Sequence, residues 1–246
     1  MNINAPTPAQ IPQLKALWQQ AFGDTDEFID GFFRTGFSPE RCRCITLEGQ
    51  VMAALYWFDT EENFAYLYAV ATEESHRGKG LCRNLMESTH KHLTEMGYAG
   101  AVLVPAEPGL WGYYGKLGYT PFGSSCTFSA DSGNATVLEE ISLPQYAKLR
   151  QTYLPANALT ESAAMAYYST WGKFYRNQDC LFAAAVHNDT LYIQEYFGNP
   201  DAAPGIVAAL GCTQGNFRTP GGDDPCGMYL LLKAATPPAY LGFPLD

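Results

Sequence analysis

Two glycines, one residue apart, stand at the junction of an apolar segment and a long amphipathic one, and they constrain this chain more than any other feature. Residues 69–93 read A-V-A-T-E-E-S-H-R-G-K-G-L-C-R-N-L-M-E-S-T-H-K-H-L. Upstream, residues 64–70 are aromatic and apolar without a charge, the pattern of a core strand. Gly78 and Gly80 bracket Lys79, with Arg77 just before them; Leu81, Leu85, Leu93 and Met96 follow at helical spacing, with Arg83, Glu87 and Lys91 off that face. The first N–H groups of a helix lack internal partners, and the helix dipole is positive there. Glycines let an anion come close to such a backbone, so the pattern predicts a phosphate seat, with Arg77, Lys79 and Arg83 adding positive charge. A plain helix entry with a flexible lead-in is the alternative reading.

The phosphate ligand is narrowed by what is missing. The P-loop pattern of Gly, four residues, then Gly-Lys-Ser/Thr is absent. The dinucleotide fingerprint needs a third glycine where this chain has Arg83. The stretch instead resembles the pyrophosphate loop of the GNAT acetyltransferase superfamily, Gln/Arg-x-x-Gly-x-Gly/Ala; Gly78 and Gly80 match, while Ser75 stands at the first position. A second block, L-W-G-Y-Y-G-K-L-G-Y-T-P over residues 110–121, resembles that family's Leu/Phe-Tyr-x-Lys-x-Gly-Phe/Tyr motif. The two motifs come in the family's order and cover roughly the first half of the chain.

The resemblance implies acetyl-CoA as cosubstrate, held by Ala69, Val70, Ala71, Arg77, Gly78, Lys79, Gly80, Leu81, Cys82 and Arg83. It implies that the pantetheine arm pairs with the backbone of residues 69–71 and that an N–H near Val70 stabilises the oxyanion. It also implies that Tyr114 protonates the departing thiolate. Read from the residues alone, Leu110, Tyr114 and Leu117 share one helix face, so Tyr114 is equally a packing residue, and Tyr113 is the neighbouring candidate. The base is not legible: residues 63–70 carry no carboxylate, Glu73 and Glu74 lie past the strand, and Glu107 stands where the family often has Asn.

Composition bounds the rest. With 246 residues, 47% hydrophobic and 16% charged, the chain can bury a sizeable core as one large or two small domains. A net charge of −10 argues against broad nucleic-acid binding and is compatible with a cationic amine partner or with plain solubility. No run of about twenty apolar residues predicts a membrane span. The opening M-N-I-N-A-P-T-P lacks the basic and apolar regions of a secretory signal. Seven scattered cysteines, with Cys42 and Cys44 only one residue apart, predict reduced thiols, no metal site and a cytoplasmic location.

Taken in order, Thr7-Pro8-Ala9-Gln10 reads as a helix start ahead of Ile11, Leu14 and Trp18. Residues 24–27 repeat the signal ahead of Phe28 and Phe32, and Gly36 ends that helix. Strands are expected at 42–47, 51–58 and 64–70, then at 99–105 and from 119, with a helix at 108–117. This order reproduces that of the GNAT acyl-CoA N-acyltransferase fold, an α/β (α+β) architecture on a mixed central sheet. Residues 129–135 read as a linker, which divides the chain into a domain at 1–128 and a second at 136–246. In the second, helices at 144–153 and 160–171 precede strands at 180–186 and 190–197 that echo the first pair. Gly198-Asn199-Pro200-Asp201 then stands where the glycine loop would be, without a basic residue, and a short helix follows at 201–210. The expectation is a degenerate second GNAT-like half, with coincidence of two hairpins as the alternative. A tandem of this kind resembles the Eis-type group, without its sterol-carrier-like third domain.

The tail, residues 239–246, reads A-Y-L-G-F-P-L-D and is too apolar to be loose. By resemblance to the Eis-type group, in which a C-terminal carboxylate reaches the active site, Asp246 is a candidate base; the alternative is an edge strand of the second domain. The reading as a whole is an N-acetyltransferase that moves acetyl from acetyl-CoA to a primary amine, on a small molecule or a peptide, by direct attack in a ternary complex. A non-catalytic acyl-CoA-binding module with a partner-recruiting second half is the competing class. Nucleic acid and membrane are not expected partners, and the oligomeric state is open.

Overall fold

The computed structural model describes residues 2–245; Asp246, the expected base, lies outside the described residues. The elements in chain order are β1 (Asn2–Asn4), α1 (Ile11–Phe22), α2 (Asp26–Thr35), β2 (Cys42–Leu47), β3 (Gln50–Asp59), β4 (Phe64–Thr72), α3 (Leu81–Glu95), β5 (Gly100–Leu103), α4 (Pro108–Gly115) and β6 (Thr120–Phe122). There follow β7 (Ser125–Asp131), β8 (Glu139–Ile141), α5 (Leu143–Arg150), α6 (Ser162–Tyr168), β9 (Lys173–Arg176), β10 (Cys180–His187), β11 (Thr190–Gly198), α7 (Ala203–Ala209), β12 (Gln214–Pro220) and β13 (Gly227–Leu231). None of the described helices is long and apolar enough to cross a membrane.

The first compact unit takes the described residues to Thr120, then Met228–Thr236 and Leu245. Its start follows the capping chemistry in the sequence. The Thr7 N–H donates to Gln10 Oε1 at 2.8 Å, opening a short 3-10 turn that leads into α1. Thr25, not Asp24, caps α2, its hydroxyl accepting from the Phe28 N–H at 3.3 Å; Asp24 accepts instead from the Trp18 indole N–H at 2.7 Å.

The sheet order is β1-β2-β3-β4-β5-β13-β6. β4 and β5 run parallel, but only through Phe64↔Gly100, Ala65↔Ala101 and Tyr66↔Val102. On one face Ala65 and Leu67 pack with Leu81, Leu85, Met86 and Leu93 of α3. Leu85, Met86 and Leu93 are fully buried, and each contributes roughly 1.5–3 kcal/mol. On the other face Trp18 and Phe32, from α1 and α2, pack against Tyr56 and Tyr68 at ring separations of 5.1–5.7 Å. Gly100 has to be glycine: a Cβ there would meet the Leu230 carbonyl oxygen and the Phe64 ring at 2.5 Å.

The second unit takes Pro121–Gly227 and Pro237–Pro244. Its sheet runs β7-β12-β11-β10-β9-β8, with β11 and β12 parallel over Thr190–Ile193 and Gln214–Phe217. The succession β10, β11, α7, β12 repeats β3, β4, α3, β5, so a mixed α/β fold with a second half of the same build is present.

The strands are shared differently from the single cut expected between 128 and 136. Residues 129–131, read as linker, belong to β7 and pair with β12. β13, expected in the second domain, pairs with β5 through Met228↔Leu103 to Leu231↔Gly100. The described part of the tail is no edge strand: it makes a single bridge, Tyr240 to Ala158, residues 242–244 form no strand, and Tyr240, Leu241 and Phe243 are buried within the second unit.

What holds that tail is a buried ion cluster. Arg150, Glu161 and Glu195 are all fully buried. Arg150 Nε and Nη2 donate to Glu195 at 2.6 and 3.0 Å, and Nη2 lies 2.9 Å from Glu161. Tyr146 adds its hydroxyl to Glu195 at 2.6 Å. Glu161 Oε1 accepts the tail's Gly242 N–H at 2.7 Å and Phe243 N–H at 3.4 Å. Gly242 lies so close over Glu195 and Arg150 that any side chain there would overlap them. Burial raises the Glu161 carboxyl above its usual range, opposed by Arg150 and reinforced by Glu195. One guanidinium thus serves two carboxylates. Replacing it with an uncharged chain of similar length, Arg150→Met, strands both, and we expect a loss of roughly 3–5 kcal/mol. Denaturant unfolding of the full chain measures it.

Candidate functional site

The loop from Glu73 to Gly80 has the geometry its glycines predict. Gly78 and Gly80 have φ of 75° and 81°, left-handed values that favour glycine, and a Cβ at either would meet nothing within 4 Å. Gly80 is the N-cap of α3, and no side chain caps the helix. An open, glycine-framed helix start without a protein cap is therefore present, and Arg77, Lys79 and Arg83 around it are exposed. Arg77 Nε also donates to the Thr72 carbonyl at 3.2 Å, tying that side chain back to the end of β4.

Three polar groups of the loop, Glu73, Ser75 and His76, are turned toward one another. Glu73 accepts from Ser75 Oγ at 2.6 Å, pairs with His76 at 2.8 Å and takes a longer bond from Gln20 at 3.4 Å. The Ser75 hydroxyl, then His76, lower its carboxyl to about 2. A carboxylate that acidic and that occupied is a poor proton acceptor, so Glu73 braces the loop.

β4 supplies the second part. After Tyr66↔Val102 the β4–β5 pairing ends. Against β3 the register shifts between Ala54↔Ala71 and Tyr56↔Tyr68, so Ala69 and Val70 face Leu55 as a bulge. Ala69 sits at φ 48°, strained for a residue with a side chain. Ala69 and Val70 are half-buried and Ala71 is buried. The bulge lies just past the point where the two parallel strands part, and there main-chain groups leave the ladder. No sequence signal announces it, because glycine is absent from this part of the strand.

Behind the loop lies a cluster of three aromatic side chains and a thiol. Tyr114 on α4 is 7% exposed and packs edge-on against Tyr113 and Tyr119, at ring separations of 5.3 and 5.9 Å. Burial, and secondarily Cys82, push its hydroxyl up, so it stays protonated well beyond neutral pH. Such a group keeps its proton and is available as a hydrogen-bond donor. The Tyr113 hydroxyl is also pushed up by burial and lies against the Cys82 thiol, which burial raises in turn. Cys82 is thus no thiolate nucleophile. His90 bonds the Tyr119 hydroxyl at 2.8 Å, and burial lowers it to about 4, leaving a neutral imidazole to anchor Tyr119.

Of the residues named from sequence, Gly78, Lys79, Gly80 and Arg83 gather at the open helix start, and Ala69 and Val70 form the bulge. Arg77 is shared with Thr72, and the Leu81 side chain belongs to the core, which leaves its N–H as its contribution to the helix start. Among the described residues no group of His, Cys, Asp and Glu is placed to hold a metal ion.

Among the described residues, the turn after β11 in the second unit forms no comparable cradle. A Cβ at Gly198 would lie 2.7 Å from Cys180 Cβ and from the Tyr196 hydroxyl, so that glycine is there for packing. Pro200 has no N–H, and the Asn199 side chain already accepts from the Asp201 N–H at 3.0 Å.

Residues 2–122 match a family model described as an acetyltransferase (GNAT) domain. Among solved structures the chain is similar to a GCN5-related N-acetyltransferase from Anabaena variabilis, at 18% identity and a TM-score of 0.67, over 94% of this chain and 73% of that one. It is similar to another from Kribbella flavida, at 15% identity and a TM-score of 0.68, over 94% and 72%. Eis1 from Mycobacterium abscessus matches at 11% identity and a TM-score of 0.62, over 94% and 74%. No curated protein matches the sequence. At these identities the structural likeness establishes a shared fold across both units.

Proposed function

From the acetyltransferase (GNAT) domain that residues 2–122 match, we propose that this chain transfers the acetyl group of acetyl-CoA to a primary amine by direct attack in a ternary complex. The observation that carries this reading is the uncapped glycine-framed start of α3, next to the bulge on β4 where the strands part. The helix start and the Lys79 and Arg83 side chains suit the pyrophosphate. The freed backbone at Ala69, Val70 and Ala71 suits the pantetheine amides, in the manner of an added strand.

The reaction needs three proton and charge movements. The amine nitrogen attacks the thioester carbon, forming the C–N bond, and the carbonyl oxygen takes the negative charge. An N–H at the Val70 bulge is the proposed donor to that oxyanion. The C–S bond then breaks, and the thiolate takes its proton from Tyr114, which burial keeps protonated. The amine must also give up a proton. Glu73 is too acidic and too engaged to accept it, and β4 carries no carboxylate. We assign that role to the Asp246 carboxylate. The acceptor is an amine on a small molecule or a peptide.

Three variants test this reading. Gly80→Asp puts a side chain and a negative charge into the cradle; the thermal shift produced by acetyl-CoA should vanish while the protein remains folded. An undiminished shift refutes the loop assignment. Tyr114→Phe keeps the ring, and kcat should fall on the order of 10²-fold with the acetyl-CoA shift retained; full activity would return Tyr114 to the core. Asp246→Asn should lower the rate and remove the acidic limb of its pH profile, and an unaltered profile places the base elsewhere. A thermal shift from acetyl-CoA without thiol release in the presence of any amine would favour a binding module over an enzyme.

A further inference from the structure

The last described backbone donor of the chain has a specific seat. The Leu245 N–H donates to the Tyr66 hydroxyl at 2.7 Å. Tyr66 is the last residue of β4 that pairs with β5, and its ring is 1% exposed. Its neighbours on either side, Ala65 and Leu67, pack toward α3, whereas the Tyr66 ring lies beside Phe58 on the opposite face. The α3 side is filled by core residues; on the Tyr66 face Trp18 and Phe32 pack against Tyr68, two residues along, which nevertheless keeps part of its surface exposed. Leu245 is itself half-exposed and groups with the first unit although the eight residues before it do not.

A half-exposed residue bonded to a buried hydroxyl, at the point where two parallel strands separate, stands beside whatever approaches the bulge from that face. We propose that Leu245, held by Tyr66, is a specificity-determining residue for the amine. The proposal rests on the acyl-transfer reading above. The amine enters past Leu245 and Tyr68, so its flank next to the nucleophilic nitrogen is apolar or aromatic, and the Leu245–Tyr66 bond fixes the width of that entry. The bond stands at the end of the ladder before the bulge and the glycine loop, so it bears on the amine and leaves the nucleotide end of acetyl-CoA untouched.

The test removes each partner of the bond separately. Tyr66→Phe deletes the acceptor and keeps the ring; Leu245→Pro deletes the donor. Each should raise KM for an arylalkyl amine about threefold to tenfold, the size of one hydrogen bond, with KM for acetyl-CoA unchanged. The double variant should be no worse than the single ones. Hydrogen exchange of the Leu245 amide, followed by NMR on the full chain, should be slow in the parent and fast in Tyr66→Phe. Two results overturn the proposal: an amide that exchanges equally fast in both proteins, or a released amide with unchanged KM for the amine. If the parent transfers acetyl to no amine while the amide is protected, the acyl-transfer reading falls first and takes this proposal with it, and the exchange data tell that case from the other two.

Discussion

Three residue pairs hold β4 to β5, and the features of the site follow from where that short parallel ladder stops. Parallel pairing has to be supported from both faces. Here α3 supplies one cover through Leu85, Met86 and Leu93, and the aromatic layer around Phe32 and Trp18 supplies the other. Gly100 permits the closest approach, since only a residue without a side chain fits beside Leu230 and Phe64. Past Tyr66 that support continues but the pairing does not, so main-chain groups on β4 are left with polar capacity in a sheltered place. The bulge at Ala69 turns them further out of the ladder, at the cost of a strained φ. A strained backbone next to an uncapped helix start is what the proposed acyl-CoA reading draws on, with its polar, extended arm and anionic end.

The second unit shows what happens when the same framework keeps its ladder and loses its loop. β11 and β12 also run parallel and also part, after Ile193↔Phe217. Yet the turn that follows is stopped by Pro200, closed by the Asn199 side chain and packed tight at Gly198. Its interior polar chemistry is spent on Arg150, which binds two carboxylates and, through Glu161, the amides of Gly242 and Phe243. Related connectivity thus supports an open ligand cradle in one unit and a sealed ionic core in the other.

How much of this was legible in the sequence depends on the range of the forces involved. The glycine loop, α3 and the Tyr114 helix are local: glycine spacing and helical periodicity encode them within about twenty residues, and the structure carries each as an element. The Thr7 start was also readable, because its cap partner Gln10 lies three residues on. Non-local features were not readable. Nothing near residue 228 says that β13 pairs with Leu103, and residues 129–131 look like a linker because their strand character comes from pairing with β12. The bulge at Ala69 is set by register against β3, and the ion cluster brings together residues from a helix end, a helix start and a strand. Arg150 in the sequence looks like any basic residue in the last turn of a helix; only its complete burial distinguishes it.

The placement of β13 has a consequence for the life history of the chain. The strand that flanks β5 is synthesised only after nearly all of the second unit. As it leaves the ribosome, β5 therefore has β4 on one side and an unpaired edge on the other, the kind of edge that recruits foreign strands. The first unit cannot finish ahead of the second, whatever the stability of its local elements, and contacts of such long sequence separation slow the closing step. The same wiring restricts inheritance. A gene cut between the two halves would leave one product short of an interior strand, so this pair of units cannot be shuffled as cassettes.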